Sequence, residues 1–352
     1  MKYYLYQKIK KEITPVEDVE LNKKAKQKLD ELFKSPEANN IPTWVVESKD
    51  TALFQSKGNV DKANAIYVID KDCIYDLSNT LNDLPSKEWL PETVTVFAQK
   101  GLGAGSSEAK IEKQHPAPYS YQDVARHIKF FTKEGDYVLD PFVGVGSTLK
   151  AAAVENRRGL GIELNPKYAE LSKLRIETEL PILSEYKDKQ ETICGDSLVV
   201  LKTIADNTFD FVITSPPYWN ILDTVDSKAK QRKAEDLDTK YSDSDSDLAN
   251  IGDYQVFLEK LTDVFVECSR VLKNGKYIAI VVSDFRKSEK YYMFHSDLAT
   301  LLEKKSSFVL KGIKILYQRH KSIYPYGYPF SFVPNVHHQY VLILKNDKNG
   351  KK

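Results

Sequence analysis

Residues 137–148 read YVLDPFVGVGST, an apolar run that ends on an acid and then breaks into a glycine turn. Gly144 and Gly146 permit a tight bend and let a ligand approach the backbone closely. A phosphate cradle would require Lys-Ser/Thr after the glycines, and none follows. Asp140, at the strand end, likewise opposes a phosphate and favours a cationic or hydroxyl-bearing ligand. Many α/β folds carry one such turn, so its neighbours decide what it means.

Working outward, short apolar strands alternate with helical stretches from residue 136 onward. YVLD (137–140), GLGIEL (159–164), ETICGD (191–196), FDFVI (209–213) and KYIAIVVSDF (276–285) read as strands. The last is almost uniformly apolar, as a central strand of a parallel sheet should be. Helices are expected at 146–158, at 253–275 closing on a glycine, and after Asn165-Pro166, an N-cap followed by a first-turn proline. FVLKGIKILYQ (308–318) and HHQYVLILK (337–345) complete seven strands and predict an antiparallel terminal hairpin.

Acids close three successive strands. Glu163 ends the second at a spacing suited to ribose hydroxyls. Asp196 ends the third, placed to accept from an adenine amine. Either could simply cap a helix, but with Asp140 they form a set suited to a nucleoside. A carboxylate-rich pocket for a nucleoside bearing a cation rather than phosphates fits S-adenosylmethionine.

TSPPYW (214–219) directly follows the fourth strand. Two prolines cannot continue a sheet, so the strand stops and a stiff turn presents Ser215 at its carboxyl edge. In open α/β sheets that edge is where ligands bind. The turn resembles the (S/N/D)PP(Y/F) motif of the amino-methylating DNA methyltransferases, and that resemblance implies as target an exocyclic base amine, a poor nucleophile because its lone pair is delocalised into the ring. Ser215 Oγ and the Pro216 carbonyl, stiffened by Pro217, are acceptors for its protons, and Tyr218 offers a face for a flipped-out base. Trp219 either extends that face or packs into the core. Ring-carbon methylation of cytosine would want Pro-Cys here, and Cys73, Cys194 and Cys268 all lie elsewhere.

DPFVGVGST, GIE, GDS and TSPPYW together resemble the amino-methylating DNA methyltransferases, with HPAPYSYQDVARHIKFF (115–131) similar to the family's further cofactor motif and YPYGYPF…VPNVHHQYVLILK to its bacterial endings. The resemblance covers residues 112–346. It implies an α/β, seven-stranded Rossmann-like class I methyltransferase sheet with helices on both faces. It also implies S-adenosylmethionine held by His115, Pro116, Tyr119, Asp140, Pro141, Phe142, Gly144, Gly146, Thr148, Glu163 and Asp196, with Ser215, Pro216, Pro217 and Tyr218 catalytic. The Ser form of the turn resembles enzymes acting on cytosine N4, with adenine N6 as the alternative. An RNA amine methyltransferase and a degenerate binding subunit are further readings, the latter opposed by the intact motif set. Double-stranded DNA with a flipped base is the expected partner, and a cognate restriction endonuclease is left open.

The 352 residues carry 51 basic and 50 acidic side chains, a formal charge of +1, so DNA contact must come from local patches. Candidates are residues 1–110, outside the strand–helix pattern; the charged stretch 223–250, read as a mobile insert in a catalytic domain at 111–346; and QRHKSIYPYGYPFSF (318–332). The last interleaves Arg319, His320 and Lys321 with Tyr326 and other aromatics, alongside Trp219, or alternatively covers a sheet edge. No paired-cysteine spacing points to metal or disulfides. With no apolar leader or membrane-length run, a cytoplasmic protein is expected, nucleoid-associated when on DNA.

Overall fold

A computed structural model describes residues 3–7, 12–16, 43–47, 65–68, 73–76, 79–100, 109–116, 119–180, 184–220, 247–319 and 321–350. Most of the 223–250 stretch and the lysine-rich text at 19–35 lie outside them. The chain divides into two units: Met1–Val94 with Thr132–Gly135, and Thr95–Phe131 with Asp136–Lys352. In the first, β1 (Tyr3–Gln7), β2 (Glu12–Val16), β3 (Thr43–Glu47), β4 (Ala65–Val68) and β5 (Cys73–Asp76) form an antiparallel sheet ordered β2-β1-β3-β4-β5. Helix α1 (Ser86–Glu92) follows.

The second unit is built on one eight-stranded sheet. Its strands are β6 (Val96–Ala98), β7 (Tyr137–Asp140), β8 (Arg158–Glu163), β9 (Gln190–Cys194), β10 (Phe209–Thr214), β11 (Leu272–Val282), β14 (Phe308–Tyr317) and β15 (His338–Asn346). β12 (Phe285–Lys287) and β13 (Lys290–Tyr292) form a separate small ribbon. The sheet order is β6-β14-β15-β11-β10-β7-β8-β9. β7 to β11 run parallel to one another, and β15 is antiparallel to both its neighbours. The order reverses beside β7, the strand carrying the glycine turn, which makes this edge a topological switch point.

Seven of these strands are the ones read from the sequence, and the terminal hairpin is antiparallel as expected. The eighth, β6, pairs with β14 from inside the 1–110 stretch. Three residues are too few to show alternation. Gly275 does not close the helix before it: α7 (Tyr254–Val271) stops earlier, and Gly275, at φ +78°, lies where β11 slips register against β10. The left-handed residue thus sits inside β11, at the irregularity between its pairing at Leu272 and at Tyr277.

The remaining helices are α2 (Ala109–Glu112), α3 (Tyr121–Phe131), α4 (Ser147–Val154), α5 (Pro166–Glu179), α6 (Ser197–Lys202) and α8 (Phe294–Lys305). Asn165 caps α5, its side chain accepting from Lys167 N at 3.0 Å, with Pro166 in the first turn as expected. Phe257, Leu258, Leu261, Val264, Phe265 and Cys268 recur at helical spacing along α7 and bury its stripe in the main core with Phe209 and Ile280. Val143, Leu149 and Ile176 form a second apolar cluster with α4 and α5.

Candidate active site

The glycine turn lies across β8. Gly144 and Gly146 take φ of +53° and +85°, and Val143 N donates to Ile162 O at 3.0 Å. A Cβ on Gly146 would sit 2.6 Å from Ser172 Oγ, and one on Gly161 within 2.8 Å of three Val143 side-chain atoms. Glycine at 161 is therefore part of the turn's seat, a role not read from GLGIEL.

Asp140 is bonded on every side within the protein. Its side chain is fully buried, with Oδ1 accepting from Phe142 N at 2.9 Å and Thr214 Oγ1 at 2.6 Å. Oδ2 accepts from Tyr119 OH at 2.7 Å and from Thr148 Oγ1. Burial pushes its carboxyl above the ordinary range although four donors oppose the shift. Tyr119 and Thr148 are thus spent on Asp140, and the Tyr119 phenol is pushed well up by burial and by the acid beside it. This buried knot ties β7, the glycine turn and the end of β10 together, immediately before Ser215. These four protein partners are what the structure gives Asp140; its place in the cofactor site is the expectation drawn from the sequence.

The other two acids do reach open space. A cavity of about 450 Å³ is lined by His115, Phe142, Glu163, Asp196, Ser215 and Pro217, with apolar Ile162, Leu164, Leu248 and Ile251. Glu163 Oε2 accepts from Gly144 N at 2.9 Å and Oε1 from Asn165 N at 2.8 Å. Burial raises its pKa to about 7. Asp196 Oδ1 caps α6, accepting from Leu198 N at 2.8 Å and Val199 N at 3.2 Å. The acid is both a helix cap and a cavity wall. The His115 ring packs edge-on against Tyr168 at 4.9 Å, Pro116 is buried, and the Pro141 carbonyl accepts from Ser197 Oγ.

The turn after β10 is packed more tightly than its sequence implies. Pro216 is buried, and Ser215 and Pro217 face the cavity. Tyr218 is 8 % exposed, edge-on to Phe294 at 6.1 Å, and its hydroxyl accepts from Gln339 Nε2 at 3.1 Å. Ser215 and the Ser283 backbone also reach that hydroxyl. Its ring is therefore not an open stacking face. Trp219 is 5 % exposed among Tyr254, Phe285 and Tyr292, with Nε1 donating to Ile251 O at 2.7 Å. As an indole next to a strand end it fills core and satisfies its N–H internally. Trp219 thus lies in the main core cluster, where the sequence allowed either packing or nucleic-acid contact.

Arg319 and Lys321 are exposed, as are Tyr324, Tyr326 and Tyr328. His320 lies outside the described residues.

Arg175 was passed over in the sequence because charged residues on a helix usually face water. Here it is fully buried, donating to Glu112 Oε2 at 2.9 Å, Glu179 Oε2 at 3.0 Å and Ser147 Oγ at 2.9 Å. It clamps the segment leading to His115 onto the start of α4.

Residues 2–174 and 209–352 match the N6/N4 DNA methylase family. The chain belongs to that family. Its members' usual methyl donor is S-adenosylmethionine. Among relatives of this methylase, the type II methyltransferase M2.DpnII of Streptococcus pneumoniae is 34% identical over 148 residues, 41% of this chain and 48% of that protein. The type II methyltransferase M.BglI of Bacillus subtilis is 38% identical over 97 residues, 28% of this chain and 26% of the relative. The methylase thus spans under half the length of these relatives in each match. TrmN from Thermus thermophilus superposes with a TM-score of 0.41 at 13% identity, over 68% of this chain and 52% of that one. Among the described residues, no group of three or more His, Cys, Asp and Glu could hold a metal, and no helix is long and apolar enough to cross a membrane.

Proposed function

We propose that this methylase transfers a methyl group from S-adenosylmethionine to the exocyclic amine of a base in double-stranded DNA, and that the base is cytosine, modified at N4. One observation carries the proposal: Glu163 and Asp196, the nucleoside-binding acids, share a single cavity with Ser215 and Pro217 of the proline turn.

The cavity suits the donor. Two carboxylates stand ready for hydroxyl and amine donors, one with an oxygen, Asp196 Oδ2, outside the helix cap. Phe142, Ile162 and Leu248 supply apolar walls for a purine ring. S-adenosylmethionine, when bound, supplies an electrophilic methyl group on a sulfonium. Glu163 holds ribose hydroxyls, Asp196 the adenine amine, and the backbone around Gly144 and Gly146 allows close approach. Ser215 Oγ and the Pro216 carbonyl accept the target amine's two protons. Acceptors in that position favour a pyramidal nitrogen, whose lone pair is then available for attack. The cofactor would supply its sulfonium methyl to that nitrogen, and the surplus amine proton would leave past Ser215 to solvent. No protein nucleophile is consumed. Cys268 is buried, its thiol pushed far up by desolvation, and is unsuited to nucleophilic work.

Cytosine is preferred because Ser opens the proline turn. Exposed Arg319, Lys321 and Tyr326 are proposed as DNA contacts, phosphate for the cations and base for the ring. The test is to incubate the protein with labelled donor and, in parallel, duplex DNA and RNA, digest each to nucleosides, and identify the labelled one by mass. N4-methylcytosine is expected. N6-methyladenine would refute the base assignment, and label in RNA alone would refute the substrate class.

A further inference from the structure

The segment between β14 and β15 exposes more apolar surface than any structural need accounts for. Ile323 is 79% exposed, Tyr328 79%, Phe330 93% and Phe332 87%. Single exposed hydrophobics are ordinary, but a contiguous run of this size marks a contact surface.

Its form is held from within. Asn335 makes a two-way pair with the Tyr324 backbone, accepting from its N–H at 2.9 Å and donating to its carbonyl at 2.8 Å. His337 joins the Lys321 carbonyl at 2.9 Å, and Gly327, at φ +76°, makes the tight bend. The aromatics are therefore presented on a braced loop.

Topology says where it is presented. β14 pairs in parallel with β6 and antiparallel with β15, and β15 is antiparallel to β11. β14 thus runs in the direction of β7, β8 and β10, and its end at Tyr317 lies on the carboxyl edge that carries Ser215. β15 starts at that edge, and its Gln339 bonds directly to Tyr218 of the proline turn. Arg319 and Lys321, both exposed, stand at the root of the loop.

An enzyme that works on a base amine must take the base out of the stack, which costs a few kcal/mol on a paired base. Apolar side chains inserted between base steps are one known means of unstacking a duplex. Resting on the DNA methyltransferase reading above, we infer that the 321–336 loop is the element that enters the duplex. In this inference Phe330 and Phe332 occupy the space the target base vacates, while Arg319 and Lys321 hold the flanking phosphates.

The test uses the full chain and two DNA substrates, one with the target base paired and one with it opposite an abasic site. The second has a target already released from pairing, so a wedge is not needed. The Phe330→Ala/Phe332→Ala double variant alters only exposed side chains and should melt with the wild type. Turnover on the paired substrate should drop tenfold or more, with turnover on the abasic-opposed substrate within about twofold of wild type. Pyrrolo-cytosine at the target position, paired with guanine, should brighten with wild type and stay dim with the variant. Equal loss on both substrates, or no loss on either, overturns the wedge and assigns the loop to some other contact. A wild type that methylates neither substrate instead defeats the function proposed above, and the wedge with it.

Discussion

The side-chain amide of Gln339, on β15, donates to the hydroxyl of Tyr218 at 3.1 Å, joining the antiparallel strand to the proline turn across the intervening β11. A buried hydroxyl with fixed partners is costly to remove, because its partners stay behind unpaired. Tyr218→Phe should therefore cost about 1–3 kcal/mol of stability. Tyr218→Ala, which also empties ring volume, should cost about 3–5 kcal/mol. A double-mutant cycle with Gln339→Leu, read by denaturant unfolding, should give a coupling of about 0.5–3 kcal/mol. Strict additivity would show that the contact contributes nothing.

Gly146 is held left-handed against Ser172. Gly146→Ala adds backbone strain of about 1–2 kcal/mol and a clash that α5 must relieve by moving. Gly252, where a Cβ would meet nothing within 4 Å, is the matched control. Calorimetric titration with S-adenosylmethionine should show weakened binding for Gly146→Ala and none of that effect for Gly252→Ala. Equal behaviour of the two variants would remove the glycine turn from the cofactor site.

Arg175 is a buried cation answered by Glu112 and Glu179. Removing one partner of such a set leaves charge buried and unpaired, at about 3–5 kcal/mol. Arg175→Met should melt well below wild type, and restoring balance with Glu112→Gln should recover part of the loss. Unchanged melting in Arg175→Met would contradict the clamp.

Glu163 titrates near 7 because burial disfavours its charge. A carboxyl whose folded pKa lies above its unfolded value of 4.5 stabilises the fold below about pH 4.5, and that contribution is lost as pH rises through 7. Ribose hydroxyls and a sulfonium both favour the ionised form, so cofactor affinity should tighten between about pH 6 and 8 with release of a proton. Titrations in buffers of different ionisation enthalpy would detect it. Glu163→Gln should abolish both the pH dependence and the proton release. Parallel pH curves for the two proteins would sink this assignment.

Much of this site was legible because its signals are local. Gly144 and Gly146 fix a turn, Pro216 and Pro217 end a strand, and acids at successive strand ends share one sheet edge. What could not be read depends on contacts distant in sequence. Nothing in the local text shows that Thr214 and Tyr119, 74 and 21 residues away, bond to Asp140. Trp219 follows the proline turn, yet the carbonyl of Ile251 claims its N–H. Arg175 and Gln339 sit in ordinary helix and strand text, and only packing reveals their partners. β6 is too short to carry any pattern of its own.

The proposed function gives cofactor binding and amine activation to different residues of one cavity, and paired measurements on two variants separate the two. Ser215→Ala should bind S-adenosylmethionine as wild type does while its turnover on DNA falls by about 10²-fold or more. Glu163→Ala should weaken cofactor binding by about 1–3 kcal/mol and retain turnover when the cofactor is saturating. If Ser215→Ala turns over normally, or loses activity only in proportion to its melting temperature, the proline turn is structural and the account is wrong.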